Sequence, residues 1–132
     1  MPTEHINPDA VSRPNNYTHV VAAEGRRIVF VSGQVALDKD GNVVGKGDLA
    51  RQAEQVFENL KACLASVGAT FADVTKMTTF IVNYQPEHRA VLGQVRQRYL
   101  PADKPPASTL LGVQALAMPD ILIEIEATAV LP

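Results

Sequence analysis

The chain has 132 residues, 46% of them hydrophobic and 20% charged, which predicts a single globular domain over residues 1–132 with a core of its own and excludes a disordered polymer. Twelve Lys and Arg against fourteen Asp and Glu leave a formal net charge of −2, and so argue against a nucleic-acid partner, whose phosphates are held chiefly by Lys and Arg. The one cysteine, Cys63, allows no internal disulfide, no Cys/His cluster has metal-ligand spacing, and no run approaches the ~20 apolar residues of a membrane span, so the expectation is a cytoplasmic protein with no metal site and no membrane partner.

The residues up to Tyr17 read as an irregular, Pro/Asn-rich lead-in without the apolar run of a signal peptide. THVVAAEGRRIVFVSG then predicts two short strands joined as a hairpin by a turn at Glu24-Gly25. In ALDKDGNVVG, the pair Asp40-Gly41 marks a further turn, with a brief strand at Val43-Val44. From Asp48 the period changes. Leu49, Ala53, Val56, Leu60, Leu64 and Val67 fall on one helical face, and Gly68 stands where the helix should end.

DVTKMTTFIV is dense in β-branched residues and apolar on both faces, which predicts a central strand. Pro86 opens a second helix, with Val91, Val95 and Tyr99 on one face and Arg89 and Arg96 on another, read as a solvated face. PADKPP ends it. Two strands follow, ASTLLGVQAL and LIEIEATAV, separated by a turn near Met118-Pro119-Asp120.

In the last strand, side chains alternate between faces. Ile121, Ile123, Ile125, Ala127, Ala129 and Leu131 form a core face, while Leu122, Glu124, Glu126, Thr128 and Val130 form the other, with its two carboxylates roughly 7 Å apart. The order β-β-(β)-α-β-α-β-β predicts an α+β fold with two helices on one face of the sheet. The opposite face would then present Leu110, Leu116, Leu122 and Val130, with either Val29 and Val31 or Ile28 and Phe30. An apolar sheet face without helices usually lies against a partner, so a homo-oligomer is expected.

FVSGQVALDKDGNVVG, GDLARQAEQVFENLKACLASVGA, DVTKMTTFIV and above all PPASTLLGVQALAMPDILIEIEATAV resemble the YjgF/RidA family, also called endoribonuclease L-PSP-like. The resemblance covers nearly the whole chain. It implies a chorismate-mutase-like α+β subunit with a mixed sheet, a homotrimer, and ligand clefts between subunits. It also implies chemistry of the enamine/imine deaminase kind, in which reactive 2-aminoacrylate-type compounds are hydrolysed to 2-keto acids and ammonia without a cofactor. The family's arginine after the Pro-Ala pair, which grips the substrate carboxylate by a bidentate contact, is replaced here by Ser108. The other cleft positions carried over are Tyr17, Ser32 in Ser32-Gly33-Gln34, and Glu124. Gln85 falls near the family's cleft asparagine.

The substrate-binding candidates are therefore Tyr17, Ser32, Gly33, Gln85 and Ser108, with Glu124 as the catalytic acid/base that orients water and passes a proton to departing ammonia. Gly33 would let a ligand approach the main chain. Glu126 reads as structural, and Cys63 as packing rather than nucleophile. An uncharged hydroxyl cannot reproduce a guanidinium fork, and charge-assisted hydrogen bonds contribute about 1.5–3 kcal/mol each. Weak activity on 2-imino acids is therefore expected, unless Arg13, Arg26 or Arg27 compensates. Two functions stay open: a hydrolase for a small imine or enamine other than a typical 2-imino acid, and a non-catalytic protein that binds a small molecule in the inter-subunit cleft.

Overall fold

The computed structural model describes residues 3–132. Two antiparallel strands, β1 (Thr3–Ile6) and β2 (Val20–Ala23), form a small ribbon of their own. The main sheet contains β3 (Arg27–Gln34), β4 (Val74–Val82), β5 (Ala107–Val113) and β6 (Ile123–Leu131), in the order β3-β6-β4-β5. Helix α1 (Leu49–Ala65) lies between β3 and β4 in sequence, and α2 (His88–Arg96) between β4 and β5. β4 and β5 run parallel and the other neighbours antiparallel, as a helical crossover between β4 and β5 requires.

The hairpin expected at Glu24-Gly25 does not form. β2 pairs with β1, while β3 crosses to the main sheet and pairs with β6. Gly25 makes the crossing because it lies so close to the Leu131 carbonyl that a β-carbon would overlap it, and the same carbonyl accepts the Arg26 N–H at 2.9 Å. The strand Thr3–Ile6 arises from residues read as irregular. The brief strand at Val43-Val44 is one bridge, Leu37 to Val43, across a turn in which the Asp38 carboxylate accepts the N–H groups of Asp40 and Asn42.

Helix α1 forms as its pattern predicts. Asp48 caps it by accepting the Arg51 N–H at 3.1 Å, and Gly68 takes a left-handed φ of 77° just beyond its end. Its inner face buries Ala53, Val56, Phe57, Leu60 and Leu64, together with one polar residue, Gln52. Gln52 is completely buried, and its amide donates to the Asp120 and Gly45 carbonyls while accepting the Leu122 N–H at 2.9 Å. It thereby ties α1 to the segment leading into β6.

The core lies between the helices and one sheet face, where Met77, Ile81, Ile123 and Ile125 meet Phe57, Leu60, Leu92 and Val95. The alternation in β6 is as expected, with Ile123, Ile125, Ala127, Ala129 and Leu131 all buried. The other face is open. Phe30 is 79% exposed, Ile28 63% and Leu111 42%. Leu110, expected on this open face, pairs with buried Thr79 and lies half-buried on the helix side; Leu111, paired with Phe80, points outward instead. Among the described residues no helix is long and apolar enough to cross a membrane.

Candidate functional site

The β4-α2-β5 crossover sets the last turn of α2 above the start of β5. Ser108 pairs with Met77, a core residue, so its side chain shares the helix-facing side of the sheet. There it meets Arg96, the last residue of α2, whose Nη1 donates to Ser108 Oγ at 3.2 Å. The Nη2 of Arg96 donates to the Asn16 carbonyl at 2.9 Å. Asn16 adopts a left-handed φ of 66°, and the loop it belongs to is held to the residues before β5, since the Thr18 N–H and hydroxyl donate to the Pro106 and Pro105 carbonyls.

These segments line a cavity of about 330 Å³, whose polar wall includes Arg96, Ser108, Arg89, Tyr17, Tyr84 and Asn16. Gly93 leaves its floor open, and Gly112 lets Tyr84 lie against β5, because a β-carbon there would stand 2.8 Å from Tyr84 Cβ. No Asp or Glu lines the cavity. Burial pushes the Arg96 guanidinium below its ordinary pKa, since removing a cation from water disfavours its charged form. Among the described residues no carboxylate lies within ion-pair distance of Arg96 or Arg89. The cavity thus has a cationic wall that can accept an anion by charge-assisted hydrogen bonds.

Glu124 lies elsewhere. It pairs with Phe80 on the open face, half-buried, with its carboxylate in the space that a side chain at residue 33 would occupy. Gly33 is therefore needed for that carboxylate position. Ser32 is exposed beside it, at the irregularity between Val31 and Gln34 where β3 slips register against β6. Glu126 is exposed on the same face. Lys76, also on this face, donates to the hydroxyls of Thr78 at 3.0 Å and Thr109 at 3.1 Å.

The candidate residues thus divide between the two sides of the sheet. Tyr17 and Ser108 join the cavity; Ser32, Gly33 and Glu124 gather on the open face. Gln85 is exposed and outside the cavity wall, with its N–H donating to His88 Nδ1 at 2.9 Å, while its neighbour Tyr84 lines the cavity. Arg13, Arg26 and Arg27 are all exposed and none lines it.

Arg96 corrects two expectations at once: it is half-buried rather than on a solvated face, and it brings a guanidinium to the position read as lacking one. Its seven-residue spacing from Arg89 was visible in the sequence, but helical periodicity alone does not distinguish a face turned to water from one turned to a cavity. Cys63 is half-buried and packed against the core. Among the described residues there is no group of three or more metal-ligating side chains.

A family model described as Endoribonuclease L-PSP matches residues 8–131. A RutC family protein of Pyrococcus abyssi is 34% identical over 102 residues, 76% of each chain. Among solved structures, YyfB of Yersinia pestis, a protein of unknown function of the conserved Rid protein family, is 42% identical with a TM-score of 0.92, over 99% of this chain and all of that one. A Thermotoga maritima protein is 33% identical with a TM-score of 0.71, over 95% of this chain and 91% of that one. The mixed α+β architecture is the one these structures share, and the chain belongs to the YjgF/RidA, or endoribonuclease L-PSP, family.

Proposed function

We propose that the protein is a homotrimeric, cofactor-independent hydrolase of the enamine/imine deaminase kind, with its substrate between subunits. The carrying observation is the Arg96–Ser108 pair in a cavity with no acidic side chain, a setting that favours a small anion. Arg96 removes the reason for confining the substrate to compounds without a carboxylate. The exposed Ile28, Phe30 and Leu111 support assembly through the open face. That assembly would set Glu124 of one subunit against the cavity of a neighbour.

In this reading an enamine tautomerises to its imine, and water adds to the C=N carbon while Glu124 takes the water's proton. Glu124 returns that proton to nitrogen to give a carbinolamine, then takes the hydroxyl proton as the carbonyl forms and delivers it to the amino group, so that the C–N bond breaks with ammonia as the leaving group and the carboxylate is regenerated. Arg96 and Ser108 hold the carboxylate, so that only the reacting end of the substrate faces the acid. The test is ammonia release from freshly generated imino acids by wild type and Glu124→Gln. A deficit of about 100-fold or more in the variant is expected from the loss of general acid/base action; equal rates would refute the assignment.

A second reading has its own support. Within one subunit no carboxylate or imidazole lines the cavity, and Glu124 lies on the other side of the sheet. A binding protein that holds a small anion would have this arrangement. A ligand that raises the melting temperature without turnover would favour it.

A further inference from the structure

We infer that the cavity is built for a small dianion, with one carboxylate on Arg96 and Ser108 and a second on Arg89. In terms of the proposed reaction, on which this assignment of the substrate rests, the substrate would be the imine or enamine of a four- or five-carbon keto diacid. Arg89 and Arg96 both line the cavity, no acid does, and among the described residues neither forms an ion pair. A monoanion would engage the free N–H groups of Arg96 and the Ser108 hydroxyl, whose oxygen already accepts from Arg96 and whose proton is therefore directed elsewhere. Arg89 would be left facing the cavity without a counter-charge.

The spacing fits a second anionic group. Seven residues of helix separate the two arginines by about 10 Å along the axis. Both side chains line the same cavity, and a four- or five-carbon diacid, whose carboxylates stand about 4–5 Å apart at ordinary bond lengths, can offer one carboxylate to each by charge-assisted contacts. A chain of that size fits readily within about 330 Å³. A single phosphate, although doubly charged, would concentrate its charge at one arginine and leave the other unused.

Calorimetric titration of the whole protein with glutarate and 2-oxoglutarate, against butyrate, 2-oxobutyrate and inorganic phosphate, tests this directly. The diacids should bind about ten-fold or more tightly than the monoacids and phosphate, the increment of one additional charged contact. Arg89→Gln, at an exposed position, should reduce the diacid-to-monoacid ratio towards one, whereas Arg96→Gln should weaken both classes. Equal binding of diacids and monoacids, phosphate binding as tight as the diacids, or an unchanged ratio in Arg89→Gln would each overturn the proposal. Binding is read here without turnover, so a failure to release ammonia would count against the hydrolase reading and leave this one standing.

Discussion

If Ser108, Arg96 and Glu124 act on one substrate, two different subunits must supply them, and mixed oligomers can reveal this. Ser108 is in register with Met77 of β4, and Glu124 with Phe80. Three residues along a strand span about 10 Å, and the two strand spacings from β5 to β6 add about 10 Å at right angles. The α-carbons are therefore about 14 Å apart, with side chains pointing to opposite faces of the sheet. No change of rotamer brings the two groups together within one chain.

Co-expression of equal amounts of Arg96→Gln and Glu124→Gln subunits, each inactive alone, should therefore restore activity. With random assembly of a cyclic trimer, an intact cavity meets an intact glutamate at about a quarter of the sites. Ammonia release should then reach about a quarter of the wild-type rate. A complementary mixture of wild type with the double variant should also retain about a quarter if the site is shared, but about half if each chain contains its own. A first mixture no more active than its better component, or a second at half activity, would refute the split site.

Gly33→Ala should force the Glu124 carboxylate aside, because the new methyl would occupy its place; turnover should fall at least about ten-fold with a melting temperature close to wild type, and full activity would remove Glu124 from that position. Gln52→Leu leaves the Leu122 N–H and two carbonyls without their partner, which should cost about 3 kcal/mol and lower the melting temperature by about 10 °C; a shift of a degree or two would contradict this. Tyr99, pushed up to about 12 by burial and then by its hydrogen bond to Glu58, is neutral in the fold after the unfolded phenol has ionised near its ordinary 10.0. Its contribution is complete below pH 10 and lost as pH rises towards about 12, so urea midpoints should fall less between pH 9 and 11 in Tyr99→Phe than in wild type. Ser108→Arg would place a second guanidinium against Arg96, a repulsion of about 4 kcal/mol at 4 Å and intermediate dielectric; it should lower melting temperature and activity together, and a gain in activity would show that Arg96 is not the anchor.

Much of the fold was legible because its signals are local and repeated. The six apolar positions from Leu49 to Val67, bounded by Asp48 and Gly68, specify α1, and the strict alternation from Ile121 to Leu131 specifies which side of β6 is core. Strand partnership is a different kind of information. Glu24-Gly25 has the composition of a hairpin turn, but Gly25 is used for a close approach to Leu131, a residue more than a hundred positions away, and the two strands separate into different sheets. Gln52 was hidden for a related reason. It is polar within an otherwise apolar helical face, and its three partners belong to segments that become neighbours only after folding.

The candidate site resisted sequence reading most where it matters most. Position 108 was compared with an expected arginine at the same place in the strand, so a serine there looked like the removal of a charge. The cavity is assembled from residues 16, 96 and 108, and what unites them is the β4-α2-β5 crossover, with Pro105 and Pro106 receiving the Thr18 hydrogen bonds that hold the Asn16 loop in place. A charge supplied from the helix end reaches the cavity only if the strand residue below it is short and able to accept a hydrogen bond. Ser108 meets both conditions, and a second arginine there would meet neither. The serine is therefore better understood together with Arg96 than as a loss, and the two residues form one cationic element whose parts lie twelve positions apart on different secondary structures.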